Sequence, residues 1–196
     1  MDKELFEFQR NALSGKIAEP LCSEYKAAWR SCGDDKEKLV RLALKQQSTP
    51  YVSTACYRNL GVSKAYILNN FGEHINGRTF NDVEGVEGYT YQLWVGYDDD
   101  IEITSDVISL MWVESRVFVP EIKCPTLYLS NYSSVYLTLN GYNSVHIYLF
   151  DESKVVVDDA DESCEVVVYK YSSKADVVIG NYCFGKVKIF NKQLKL

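Results

Sequence analysis

Several signals that would name a chemistry are missing from this sequence. No stretch approaches the roughly 18–20 consecutive apolar residues that a membrane-spanning helix needs. The opening MDKELFEFQR alternates charge with hydrophobe instead of building the apolar core of a secretory signal. A cytoplasmic protein without a membrane partner is expected, unless a virion or lysis carries it out. There is no G-x-S-x-G elbow, no phosphate-cradling glycine loop and no H-E-x-x-H. Only two histidines, His74 and His146, and no CxxC pair are present, which leaves a structural zinc site short of ligands. The six cysteines (22, 32, 56, 124, 164 and 183) stand far apart and read as reduced thiols filling apolar space. Neither a metal nor a cofactor is expected.

What is present is the composition of a folded protein. Hydrophobic residues make up 46% and charged residues 24%, over a length that suits one domain or two small units sharing a core. Fifteen tyrosines supply large apolar faces with polar tips, suited to half-buried strands and to binding surfaces. Charge is divided unevenly. Residues 1–70 carry 11 Lys+Arg against 8 Asp+Glu, a balance of +3, whereas residues 71–196 carry 10 against 19, a balance of −9. So acidic a second part is a poor binder of a phosphate backbone, and nucleic acid is not its expected partner.

Residues 1–87 read as a helical region. In PLCSEYKAAWRSCG, Leu21, Tyr25, Ala28, Trp29 and Cys32 form one stripe of a 3.6-residue helix that Pro20 opens and Gly33 stops. Asp34 or Asp35 caps the next helix, with Leu39, Leu42 and Ala43 on one face. Ser48-Thr49-Pro50 opens a third, and Ser63 caps a fourth that ends at Gly72. Helix, Leu60-Gly61-Val62, then a second helix with Ile67 inward is also the pattern of a helix-turn-helix. Its second helix would offer Lys64, Asn69 and Asn70 to DNA. The position four before the glycine is normally small, because two helices cross there, and here it is Tyr57.

This stretch, ACYRNLGVSKAYILNNF, continued as FGEHINGRTF, resembles uncharacterised proteins encoded in prophages of gut bacteria. Those proteins pair a short helical N-terminal region, with a glycine-turn helix and an F-x-x-x-INGR/K-like segment, with a repetitive β C-terminus. The resemblance implies a genetic setting and brings no activity and no catalytic residue.

From Gly88 the code changes. YTYQLWVGYDDDIEI alternates like two strands joined at Asp98-Asp99-Asp100, which lack the alternating ligands and glycine of a calcium loop. A short phrase then recurs: SSVYLTL, NSVHIYL, DESKVVV, SCEVVVY, KADVVIG, FGKVKIF. Its first inward hydrophobes are Val117, Leu127, Val135, Val145, Val155, Val166, Val177 and Val187. A second aliphatic follows two residues later in most copies, and a mostly small residue precedes by two: Ser133, Asn143, Ser153, Cys164, Ala175, Gly185. Repetition at fixed spacing marks stacked architectures, in which each unit needs its neighbours to complete a core. The fold class expected is α+β: short helices over 1–87, then a parallel β-solenoid of 10–11-residue rungs over 88–196, with an antiparallel β-meander as the alternative. Tight hairpins would favour Asn-Gly or Asp-Gly turns, and within the repeats only Asn140-Gly141 and the reversed Gly180-Asn181 approach that.

Residues between the inward positions should face out. Tyr128, Tyr136, His146 and Tyr148 then form a candidate aromatic ladder for a protein or glycan partner. Val156, Val167 and Val178 are apolar on the same outward column, and a cover is expected, either the helices or another copy of the chain. Six corner carboxylates, Asp151, Glu152, Asp158, Asp159, Asp161 and Glu162, leave a carbohydrate-active enzyme as a third reading. The reading taken is a non-catalytic binding or structural module of a mobile element, with a DNA-binding regulator using residues 52–72 as the alternative.

Overall fold

The computed structural model describes residues 3–13, 23–45, 49–60, 62–121 and 124–193. Short helices come first: α1 Lys3–Leu13, α2 Ser23–Cys32, α3 Lys36–Leu44, α4 Thr49–Tyr57 and α5 Lys64–Phe71. Their starts and stops follow side-chain chemistry. The Asp35 carboxylate accepts from the Lys38 N–H at 3.1 Å and Ser63 Oγ from the Tyr66 N–H at 3.1 Å, satisfying donors that a helix N-terminus leaves orphaned. Gly33, at φ +55°, ends α2 in the left-handed conformation that glycine adopts without strain. Leu21, Pro20, Ser48 and the turn glycine Gly61 lie outside the described residues.

The strands are β1 Thr79–Asn81, β2 Thr90–Val95, β3 Ile101–Glu102, β4 Val107–Met111, β5 Glu114–Val119 and β6 Thr126–Ser130. They continue with β7 Ser134–Leu139, β8 Ser144–Leu149, β9 Lys154–Ala160, β10 Glu165–Lys170, β11 Asp176–Cys183 and β12 Lys186–Asn191. They alternate between two sheets, ordered β1-β2-β4-β6-β8-β10-β12 and β11-β9-β7-β5-β3. Only β1 and β2 pair antiparallel; the other neighbours are parallel. The fold is therefore short helices followed by a parallel β-solenoid of about five turns, and the meander alternative is excluded. Each turn holds two of the 10–11-residue rungs, one per sheet, so Thr126 pairs with His146, Ser144 with Glu165 and Glu165 with Lys186. The two strands of YTYQLWVGYDDDIEI fall in different sheets, which makes the three aspartates a coil corner and not a hairpin.

The repeated phrase acquires a physical meaning at these corners. Val117, Leu127, Val135, Val145, Val155 and Val166 fill the interior between the sheets and are completely buried. The small residue two positions earlier sits where the chain bends into that interior: Ser133, Asn143, Ser153, Cys164 and Ala175 are all buried. Their polar atoms close the bend, with Ser153 Oγ donating to the Phe150 carbonyl at 2.7 Å and Asn143 Nδ2 to the Asn140 carbonyl at 2.6 Å. Two residues before the small one, Asn131, Gly141 and Asp151 have φ of +60°, +74° and +55°. Asparagine, glycine and aspartate tolerate that region best, so the corner reads as a left-handed residue, any residue, then a small one.

The helices lie on the outer face of the first sheet. One apolar cluster joins Phe8, Trp29, Leu39, Leu44, Ile67 and Phe71 to Tyr91, Leu93, Val95, Val107, Met111 and Tyr128 of β2, β4 and β6. A second cluster fills the solenoid. The helical region and the first turns thus share a core, and β1, which falls within residues 1–87, already belongs to the first sheet.

Candidate functional site

Three surfaces hold the residues singled out by sequence. On the outer face of the first sheet, Tyr128, Tyr148, Tyr169 and Phe190 stand one above the other, with ring centroids 4.8, 5.0 and 5.5 Å apart. Phe150 and Tyr171 stack beside them at 5.2 Å, and His146 lies 6.2 Å from Tyr169. These separations match the spacing of neighbouring strands, so the ladder follows from parallel register. It starts beneath the helices, where burial holds the Tyr128 hydroxyl far above its ordinary pKa, and rises to an exposed Phe190. The rings lie nearly face to face, which turns their edges and hydroxyls outward. Faces occupied by one another are not open to a stacked sugar.

Tyr136 does not join this ladder. It lies on β7 of the opposite sheet, in a shallow depression lined by Arg116, Phe118, Thr138 and Asp158. Of the four ladder residues expected, Tyr128, His146 and Tyr148 are brought together and Tyr136 is not. The valine column also divides. Val156 and Val178 pair on the second sheet, Val167 lies on the first. Val156 and Val167 are buried, but neither belongs to the helix-facing cluster. The expected cover is instead the adjacent rungs: Tyr136 and Val178 flank Val156, His146 and Lys188 flank Val167. Among the described residues no rung lies on the far side of Val178, and it is exposed.

The helix-turn-helix residues lie on α5. Tyr66, Ile67 and Phe71 face the shared core, and the exposed Lys64 side chain lies across Gly96, where a Cβ would meet its Cε. Asn70 Nδ2 donates to the Tyr66 carbonyl of its own helix, while Asn69 is exposed. Tyr57, too large for a helix crossing, reaches the solenoid. Its hydroxyl donates to Glu152 and accepts from Lys174 Nζ at 3.1 Å, and Lys174 also pairs with Glu152 at 2.8 Å. The hydrogen bonds from Lys174 and Tyr57 hold the Glu152 carboxyl below its usual range, and the bond to Glu152 raises the Tyr57 hydroxyl. A cleft beside this cluster is lined by Thr54, Arg58, Phe150, Asp151, Tyr171, Ser172 and Ser173.

Of the remaining acids expected at corners, Asp158 and Asp159 lie within β9 instead, and Asp151 and Asp161 bind backbone. Asp151 accepts from the Asn131 N–H at 2.9 Å and Asp161 from the Gly141 N–H at 3.1 Å, each reaching the preceding turn. Asp106 does the same for Thr90, at 2.8 Å to its N–H and 2.7 Å to its hydroxyl. Burial pushes the Asp151 carboxyl above its ordinary pKa. His74 Nδ1 is buried without a hydrogen-bond partner. Among the described residues, Cys32, Cys56, Cys124, Cys164 and Cys183 are free, and burial pushes the Cys56 thiol up to about 12. Among the described residues, no group of three His, Cys, Asp or Glu is placed to hold a metal ion, and no helix is long and apolar enough to cross a membrane.

Comparison of the chain with known protein families, curated proteins and solved structures finds no match. A further surface, the last described turn of the solenoid, stands out by its exposed apolar side chains. Twelve large hydrophobic side chains are exposed among the described residues. Six of them, Val178, Ile179, Tyr182, Phe184, Ile189 and Phe190, fall in the last turn. Ile179 and Ile189 continue the inward columns yet are each 46% exposed, where Val157 and Val168, their partners in the turn before, are 0% exposed. Sequence reading missed this site because Ile179 and Ile189 carry the same pattern as the buried rungs before them.

Proposed function

We propose that this chain is a non-catalytic binding and structural module whose solenoid is a rigid platform and whose working surface is the exposed apolar turn formed by β11 and β12. The observation that carries this reading is the concentration of exposed apolar side chains in that last turn. Patches of this kind on otherwise polar surfaces mark protein contacts, and the strand edges beside it offer unpaired backbone groups. Three of the six acids support the non-catalytic part: Asp151 and Asp161 are engaged with backbone amides and Glu152 with Lys174. A prophage setting, which the resemblance implies, suits a small module used in assembly.

The test combines turnover with binding. Polysaccharide and DNA panels are incubated with the intact chain and with the Asp158→Asn, Asp161→Asn and Lys64→Glu variants. No reducing-end release and no salt-sensitive DNA retention is expected, while partner or self-association weakens on Ile189→Lys. Cleavage that disappears in the aspartate variants would replace the reading with an enzyme. DNA retention lost in Lys64→Glu would replace it with a regulator.

A further inference from the structure

The outer face of the second sheet carries a different chemistry from the stacked ladder of the first. We propose that the depression around Tyr136 binds one ring of a neutral hexopyranose chain, with Tyr136 against the apolar C–H face of the sugar and Arg116, Thr138 and Asp158 on its hydroxyls. The site lies in the middle of the solenoid and does not depend on the apolar last turn.

Alternation and parallel register bring these residues together. ESRVFV sends Arg116 and Phe118 outward from β5, and SVYLTL sends Tyr136 and Thr138 outward from β7. Register then sets Arg116 beside Tyr136 and Phe118 beside Thr138. The next rung breaks its alternation. β9 pairs Val157 with Leu137 but Asp159 with Thr138, so Asp158 is an extra residue in a bulge. Asp158 and Asp159 are consequently both exposed, between the buried Val157 and Ala160. Bulges re-aim side chains, and this one delivers the Asp158 carboxylate to the depression.

These groups are free to receive a ligand. Tyr136 is 45% exposed. Tyr128, Tyr148 and Tyr169 are stacked on one another, whereas among the described residues no ring or cation lies on Tyr136. Nor, among the described residues, does the Arg116 guanidinium or the Asp158 carboxylate have an ion pair or a side-chain hydrogen bond. The depression measures about 450 Å³, within the roughly 300–1,000 Å³ of small-molecule sites. A tyrosine offers such a ligand a large rigid face at low entropic cost.

A hexopyranose fits this face better than a peptide or a nucleic acid. β5, β7 and β9 each lie between two neighbours in the sheet, so no free strand edge is present to satisfy the backbone groups of a peptide. A nucleic acid would set its phosphates against Asp158 and Asp159. A pyranose has an apolar face for the ring, and its hydroxyls donate to a carboxylate and accept from a guanidinium. Binding without cleavage is expected, because Asp158 is the one carboxylate lining the depression and glycoside hydrolysis generally takes two flanking the bond.

Amide spectra of the full chain, titrated separately with cellohexaose, mannohexaose, maltohexaose and chitohexaose, test this. At least one sugar should shift the amides of Arg116, Tyr136 and Asp158 together, with a dissociation constant on the order of 1 mM. Tyr136→Ala should weaken that binding about 10-fold through loss of the ring, and Asp158→Asn about 10-fold through loss of a charged acceptor. Tyr136→Phe should bind as the parent does, and all three variants should melt with it because both positions are exposed. No shift from any of the four sugars up to about 10 mM overturns the proposal. So do shifts centred on Tyr169 and Phe190, or binding that survives both Tyr136→Ala and Asp158→Asn. A hexathymidine oligonucleotide that shifts the Tyr136 amides where the sugars do not would give the face to a nucleic acid and overturn it as well.

Discussion

The two ends of the solenoid are written in nearly the same language and behave differently. In the first turn, Ile101, Ile103, Ile108 and Leu110 are fully buried, and the helices cover the outer face of the sheet above them. In the last turn, Val187 and Ile189 repeat the phrase of Val166 and Val168, in register with them. Yet Val166 and Val168 are buried, while Ile189 is exposed. The side chains are of one kind; what differs is whether a further rung lies beyond them. Burial in a stacked fold belongs to the neighbour as much as to the residue.

The largest expected effects break this comparison at its centre. Ile147→Ala empties a site between the sheets and should cost about 2–5 kcal/mol, whereas Ile189→Ala, measured on the diluted chain, should fall within about 0.5 kcal/mol. Denaturant titration of the two variants side by side checks the contrast. Next comes the corner. Ser153→Val adds bulk at a completely buried position and removes one of the two donors to the Phe150 carbonyl, leaving it the Ser153 N–H, and a loss of about 1–3 kcal/mol is expected from the same titration.

A pH-dependent effect follows from Asp151. Burial raises its pKa in the folded chain, so the folded state holds this proton more tightly than the unfolded state does. The stability this provides is present below the unfolded value, near 4, and is lost as pH rises through the folded one. Asp151→Asn keeps an oxygen for the Asn131 N–H and removes the charge. The variant should melt above the parent at pH 7, and the difference should vanish at pH 3.

The smallest effect belongs to the link between helices and solenoid. Tyr57→Phe removes the hydroxyl shared by Glu152 and Lys174, an exposed network that contributes little to global stability. Amides of α4 should exchange faster while the melting temperature barely changes.

Much of this architecture was legible in the sequence, for reasons that single residues make plain. Val135 and Leu137, or Val145 and Ile147, announce strands by alternation, and the small residues two positions earlier announce the bends. Asp35, Ser63 and Gly33 mark helix ends because capping is local chemistry. What was not legible depends on how many rungs make one turn. With two per turn, Tyr128 stacks on Tyr148 and Tyr169, while Tyr136, one rung away, turns to the opposite face. Nothing local to Tyr136 tells the sheets apart. Likewise Val167 looked too apolar to face outward, yet His146 and Lys188 on the adjacent rungs cover it. Tyr57 looked like a defect in a helix pair because its partners, Glu152 and Lys174, lie about a hundred residues away.

The account rests on the first turn of the solenoid being buried and the last described turn being exposed, and hydrogen exchange resolved strand by strand tests that most directly. In dilute solution, amides of β4, β6 and β8 should exchange at close to the rate of global unfolding, and those of β12 many times faster. Equal protection of β12 and β8 at the lowest concentration would contradict it.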